Sequence, residues 1–370
     1  MEDDRLFDRF VRLCEIPSPT GSERAVADAV ALELRELGAE VVEDAAAEAA
    51  RAGAGNLIAR LPGRAEGWVM MCAHLDTVPH DGPIEVVLDD GVYRSRGETI
   101  LGADDKAAVA VLMELAARHA GSKPAIGLEL VFTVAEEDGL RGAKALDVGS
   151  LRSRLGFVLD HASPVGEVIT AAPTYQRLFA EFTGGEAHAG IRPEAGRSAI
   201  VAAADAVGRM SLGRLDEGTT ANVGVISGGT ATNVVPGRCT LDAEARSLVD
   251  GRAEEVIGSM VDACTWAASD HQCDLEVDVT EVFRGYRLRS AAPSVDLARA
   301  GLRRAGIEPR EISTGGGSDA NALIAAGFEC TLLATGTEAN HTPDESVAIE
   351  RLVQMVTACE AILEEAAARC

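Results

Sequence analysis

Long hydrophobic runs are missing from this 370-residue sequence: no stretch approaches the roughly 18–20 apolar residues of a membrane helix. An excess of positive charge is missing too. With 34 Lys and Arg against 59 Asp and Glu the formal charge is −25, so nucleic acid and anionic membrane surfaces would be repelled and are excluded as expected partners. The first residues, MEDDRLFDRF, are acidic where a secretion signal is basic, and a cytoplasmic protein is the expectation. Cysteine pairs are the third absence. Cys14, Cys72, Cys239, Cys264, Cys273, Cys330, Cys359 and Cys370 are scattered without any C-x-x-C, which disfavours a zinc knuckle or a disulfide framework and leaves reduced core thiols.

What is present is a chain longer than the usual single domain, so two domains, or one interrupted by an insertion, are expected. Up to about residue 172, helix and buried strand alternate. SERAVADAVALELRELG reads as a helix with Ser22 as N-cap and Gly38 as its end. NLIARL, GWVMMCAHL, GLELVFTVA and GFVLD read as strands, the central ones apolar on both faces as covered parallel strands are. Between about 173 and 285 the pattern becomes β-α-β-β-α-β, with strands in RLFAEFTG, ANVGVISGG, CTLDAEARSL and DLEVDVTEVF and helices near 196–210 and 251–270. Helix–strand alternation then resumes. The expected fold is α/β: a mostly parallel sheet with helices on both faces, built from 1–172 and 286–370, interrupted by a smaller α+β domain at 173–285.

Polar groups collect just beyond the carboxyl ends of the predicted strands, where open α/β sheets build their sites. His74 and Asp76 follow WVMMCA, and Asp76 is placed to hydrogen-bond the His74 ring and fix its tautomer. Asp104 and Asp105 open a long helix that Gly121 and Pro124 are expected to close. Taken singly, each of these has an ordinary reading as a solvated loop or a helix start. Glu136 and Glu137 after VFTVA, Asp160 after GFVL and His341 after CTLLATGTEAN turn the coincidence into one shared site. Two histidines and several carboxylates without cysteine suit zinc, manganese or cobalt, and one carboxylate can bridge two ions. Adjacent glutamates diverge, so one is free to bind metal while the other acts as general base toward water.

These segments, in this order, resemble the dizinc exopeptidase superfamily that contains peptidase T, carboxypeptidase G, aminoacylase and succinyl-diaminopimelate desuccinylase, with peptidase T nearest. The blocks that carry the resemblance are AHLDTVP, ILGADDKAAVA, FTVAEEDGLRGAKALD, LDHASPVG, AHAGIRPEAG, GGTATNVVPG and GGGSDANAL. It implies His74 and Asp160 on one metal, Glu137 and His341 on the other, Asp104 bridging, Asp76 orienting His74, and Glu136 as base. Asp105 is left out, because relatives with ADMK keep only the first acid. LDHAS departs from the common LDSGG, and His161 is read as a bystander, with a substrate-side group as the alternative.

The resemblance further implies that the insertion is a lid and homodimerisation domain and that His188 reaches the partner subunit's active site, where it polarises the scissile carbonyl. Asn233 and Arg246 would hold polar groups of the substrate. In GGGSDANAL, Gly317 and Ser318 offer backbone N–H groups to a substrate carboxylate; a phosphate loop is disfavoured by the missing G-K-[ST]. The implied activity is amide hydrolysis on small peptides, foremost as a tripeptide aminopeptidase. A carboxypeptidase or an N-acyl amino acid deacylase would use the same centre, and a non-catalytic metal-binding module is the alternative from another class.

Overall fold

The computed structural model describes residues 2–120 and 125–369; Gly121, Pro124 and Cys370 lie outside them. Two compact units result, one of Met1–Thr170, Arg287–Ser313 and Ser318–Cys370, the other of Ala171–Tyr286 and Thr314–Gly317.

The first unit begins with α1 (Glu2–Cys14) and α2 (Arg24–Glu36). Ser22 does not cap α2. Glu23 takes the cap position without a side-chain cap bond, its carboxylate accepting instead the N–H groups of Gly21 at 2.8 Å and Gly53 at 2.6 Å. The far end is as expected: Gly38 has φ +84°, its N–H reaches Arg35 O, and Ala39 N–H reaches Leu34 O, the paired bonds of a glycine C-cap. Next come β1 (Glu40–Glu43), β2 (Leu57–Leu61), β3 (Trp68–His74), α3 (Ala103–Ala120), β4 (Gly127–Thr133), β5 (Leu155–Leu159) and β6 (Glu167–Ala172). Apolar residues all around α3, from Val109 through Met113, are wholly buried, which is why it lies at the centre of the unit.

In the second unit the chain forms β7 (Thr174–Thr183), α4 (Ala199–Arg209), β8 (Gly213–Asp216), β9 (Thr219–Gly228), β10 (Arg238–Ser247), α5 (Arg252–Asp270) and β11 (Asp274–Phe283). The antiparallel order is β8-β9-β10-β7-β11; the short β8 is the strand that sequence periodicity does not announce. Period-two alternation sends Leu178, Ala180 and Phe182 of β7 and Leu241, Ala243 and Ala245 of β10 into one core with Ala202, Ala203 and Ala206 of α4 and Ile257, Met260 and Cys264 of α5. Burying each larger apolar side chain there contributes about 1.5–3 kcal/mol.

The chain then adds α6 (Pro293–Arg304), α7 (Asp319–Ala325), β12 (Glu329–Leu333) and α8 (Ile349–Arg369) to the first unit. Gly301 lets α6 approach α8, since a Cβ there would come within 2.5 Å of Ile362. In the main sheet β1-β2-β4-β3-β5-β12-β6 are neighbours. The central four, β4-β3-β5-β12, pair in parallel, as in Val69↔Leu128, Met71↔Phe157 and Phe157↔Thr331. β1, β2 and β6 join antiparallel. The carboxyl ends of four parallel strands thus lie side by side, and the polar groups noted above follow them.

Candidate metal centre

His74 is the last residue of β3, Asp160 follows β5 directly, Glu136 and Glu137 follow β4, and His341 follows β12. Asp104 comes from the start of α3, where Asp104 and Asp105 have non-helical backbone angles, so the regular helix begins only after both acids. All five expected ligands converge. Asp104 Oδ1 is 3.3 Å from His74 Nε2 and Asp104 Oδ2 is 3.1 Å from His341 Nε2. Asp160 Oδ1 lies 3.8 Å from the same His74 nitrogen, and Glu137 Oε1 lies 3.0 Å from the same His341 nitrogen. Asp104 therefore presents one oxygen to each of two histidine–carboxylate pairs, the arrangement of a bridging ligand.

The adjacent glutamates are set by Asp76. Its carboxylate accepts the backbone N–H of Glu136 at 2.9 Å, that of Glu137 at 3.2 Å, and the Thr20 hydroxyl at 2.7 Å. Ala135, just before them, sits at φ +51°, a conformation that a side chain adopts only where its surroundings enforce it. The expectation for Asp76 needs correcting. His74 Nδ1 is nearest the Asp76 backbone carbonyl, at 3.0 Å, with the carboxylate at 3.6 Å. Asp76 thus holds the ring chiefly through its main chain and spends its carboxylate on the glutamate turn. Burial works against that ionised carboxylate, but His74, Thr20 and the Glu136 N–H together hold its pKa below the usual range.

The residues fit divalent cations. Glu137 and Asp104 form one group with His74, Glu136 and Asp160 form another with the same histidine, and Asp104, Asp105 and Asp160 form a third, the donor atoms of each group lying within 4.8 Å of one another. Lys106, the adjacent cation, turns away: its Nζ donates to Ser18 Oγ at 2.6 Å and Leu75 O at 2.7 Å. Burial, together with repulsion from Asp104 and Asp105, pushes Asp160 well above the carboxylate range; burial and Asp160 do the same to Glu136. Contact with Asp104 and Glu137 pushes His341 up to about 10. A cluster this short of positive charge is completed by cations, and the nitrogen–oxygen donor set suits them. Glu136 also falls within a group with His74 and Asp160 whose donor atoms lie within 4.8 Å of one another, so proximity alone does not separate base from ligand.

Several residues here escaped the sequence reading. Asp105, set aside as a ligand, accepts the His74 backbone N–H at 3.1 Å. Glu345 accepts the N–H groups of Leu101, Gly102 and Asp104, each at 2.8 Å, and so holds the Asp104 loop. Asp319 accepts the Thr133 hydroxyl, its other oxygen is buried without a partner, and burial pushes its pKa up to about 6. The available signal was position: Glu345 lies four residues after His341, and Asp319 stands inside the GGGSDANAL block.

Ser318 does not offer free groups to an anion. Its hydroxyl accepts Ala320 N–H and its own N–H donates to Asn321 Oδ1, a capping box that closes the start of α7. Gly317 is required by close approach, since a Cβ there would meet the Phe283 ring at 2.2 Å. His161 Nδ1 lies 2.8 Å from Ser163 Oγ, and its ring is not among the converging ligands. His188, Asn233 and Arg246 belong to the second unit. There His188 pairs with Val234, the next residue Ala189 donates its N–H to Asn233 O at 2.9 Å, and Arg246 lies 4.3 Å from the Tyr175 ring centroid while bonding Glu244.

Comparison with known proteins gives this geometry a family. Residues 70–365 match the model of peptidase family M20/M25/M40. The chain belongs to that family. The peptidase is also 38% identical to protein YqjE of Bacillus subtilis, over 99% of this chain and all of the relative. Among solved structures it is similar to aminopeptidase PepT from Bacillus cereus, with 36% identity, TM-score 0.85 and 98% of each chain covered. A tripeptidase from Staphylococcus aureus gives 34% identity and TM-score 0.91, with 100% of this chain and 99% of that one covered. The peptidase is thus a hydrolase acting on peptide bonds, related to dinuclear-metal enzymes by fold. Among its described residues no helix is long and apolar enough to cross a membrane.

Proposed function

We propose that the peptidase is a two-cation exopeptidase of small peptides that releases the amino-terminal residue, with tripeptides as its foremost substrates. The observation that carries the reading is Asp104, whose two oxygens face two different histidines. His74 and Asp160 would hold one cation, His341 and Glu137 the other, and zinc fits this donor set best, with manganese and cobalt as alternatives. Bound there, the cations would lower the pKa of a water to about 7 and polarise the scissile carbonyl. Glu136 takes the proton of the attacking water and delivers it to the leaving amine. Asp76 keeps the base and the ligand Glu137 in register through their N–H groups. His188 would stabilise the developing oxyanion in the partner subunit's active site, and Asn233 and Arg246 would contact the peptide.

The second unit would serve as lid and homodimerisation domain. In support, β8 pairs only with the start of β9, which leaves the edge from Asn222 to Gly228 free within that sheet, with Val225 and Ile226 exposed. A cytoplasmic location suits the seven described cysteines, all free thiols. Resemblance to an aminopeptidase and a tripeptidase favours release from the amino end. The test is hydrolysis, by metal-loaded protein, of a free tripeptide, its N-acetyl form and its C-terminal amide, with a chelated control. Loss of cleavage on acetylation, with release of the first residue, is the expected outcome. Cleavage that survives acetylation but fails on amidation moves the assignment to a carboxypeptidase or deacylase.

A further inference from the structure

Three of the five converging side chains stand at or just beyond strand ends and are held there locally. The His74 N–H is accepted by Asp105 and its ring meets the Asp76 carbonyl; the Glu137 N–H is accepted by the Asp76 carboxylate; and the Asp160 N–H donates to Leu333 O at 3.3 Å. The other two stand on loops. Asp104 lies two residues after Gly102, at φ +72°, and ahead of the regular part of α3. His341, at φ +65° and with its side chain half exposed, lies in the loop 339–345 that the pairing of Glu338 with Ser346 closes.

Glu345 ends the second loop and reaches the first. Its carboxylate is buried; Oε2 accepts the N–H groups of Leu101 and Gly102, and Oε1 accepts that of Asp104 itself, each at 2.8 Å. Its own N–H donates to Thr342 O at 3.1 Å, and the Thr342 hydroxyl donates to Ala339 O at 2.7 Å, so the same residue also fixes the turn on which His341 sits. Leu101 and Gly102 are buried, so water does not replace a lost carboxylate and their N–H groups would be left unsatisfied. His74, Glu137 and Asp160 take no part in these bonds. The cost of losing Glu345 therefore falls on the bridging acid and on the His341 side of the centre.

We propose that Glu345 is the positioning residue that gives the peptidase its second cation: by tying the Asp104 main chain to the His341 turn, it keeps one carboxylate between the two histidines. The role rests on the two-cation reading above. It differs from plain loop closure in what its loss would change, and Glu129 supplies the comparison. That residue is also wholly buried and also accepts loop N–H groups, those of Arg152 at 3.1 Å and Ser153 at 2.9 Å, together with Arg60 Nε at 2.8 Å, but it belongs to the amino half of β4. The full-length protein and its Glu345→Gln, Glu345→Asp and Glu129→Gln variants are stripped of metal, checked for folding by circular dichroism and titrated with Mn²⁺. Electron paramagnetic resonance counts the bound ions and reports whether they are magnetically coupled through a shared ligand.

The wild-type chain is expected to bind two Mn²⁺ ions and to show the coupled spectrum. In Glu345→Gln one accepting oxygen becomes an amide NH₂ that faces N–H groups, so the second ion should bind at least about tenfold more weakly, the first much less so, and the coupled signal should give way to that of isolated Mn²⁺. Glu345→Asp, which keeps both oxygens on an arm one carbon shorter, should give an intermediate loss. Glu129→Gln should leave both affinities and the coupling as they are. Native coupling and second-ion affinity in both Glu345 variants, equal weakening of both ions, or the same loss in Glu129→Gln would each overturn the role. A wild-type chain that never shows coupling would overturn the two-cation reading itself, and the role with it.

Discussion

Two clusters of buried acids within the first unit differ in one respect: one is supplied with arginine and the other is not. Glu114, wholly buried on α3, receives Arg5 through two bonds of 2.8 and 2.6 Å, Arg9 at 2.9 Å and Arg118 at 3.1 Å. Asp104, Asp160, Glu136 and Glu137 gather at the carboxyl ends of the strands with two histidines and, among the described residues, no bond to an arginine or lysine. A buried carboxylate with its cation built into the chain is architecture. A group of them without one is a site for something that arrives from outside.

The sharpest way to break that contrast is Glu136→Ala. As the base it should lower kcat by about 10³-fold while metal analysis still finds two ions per chain; a lost ion would instead make Glu136 a ligand. In the other cluster Glu114→Ala leaves three arginines around a hole and should cost on the order of 3 kcal/mol in denaturant unfolding, with the metal count untouched. A comparable loss of metal from this variant would show that the clusters are not independent.

Divalent metal should raise stability at neutral pH by about 2.7 kcal/mol for each site filled at a hundred times its Kd, an effect that EDTA abolishes. The pH dependence of the metal-free chain should then show both signs. Glu136 and Asp160 have raised pKa values, so their contribution is whole below the unfolded carboxylate value of about 4 and is lost as pH rises through their folded values. For Glu114, burial opposes ionisation but Arg5, Arg9 and Arg118 outweigh it, so its contribution is present above about pH 4 and is lost as pH falls. Thermal melts across pH, with and without zinc, should show metal removing only the decline on the alkaline side. The smallest effect is expected from Thr20→Val, which removes one of the bonds to Asp76 and should cost about 1 kcal/mol.

Most of the converging side chains were legible in the sequence because a strand's apolar run announces them: His74 ends one such strand, and Glu136, Glu137 and Asp160 follow others, at ends that periodicity marks. The chemistry of Asp76 was legible only in part. Two residues apart along a strand suggested a side-chain bond to His74, whereas the carboxylate went to N–H groups 60 and 61 positions away, a pairing that only the parallel register of β3 and β4 creates. Asp105 and Glu345 were missed for the same reason, since their partners are backbone groups that no residue type advertises. Ser318 shows the reverse error. A glycine-rich approach to a helix suggested open N–H groups, but Asn321 three positions on had already claimed that of Ser318.

Glu345 has a consequence for how the protein is made. It closes the Asp104 loop across a separation of 241 residues, and His341 beside it completes the cluster. Synthesis runs from the amino end at about 5–20 residues per second, so roughly 10–50 s pass between the appearance of Asp104 and that of Glu345 on the ribosome. Through that interval most of the acids are present without the loop clamp or the second histidine. On the two-cation proposal the nascent chain cannot hold both ions in the finished arrangement, and loading would follow release of this late segment rather than guide the folding of the early one.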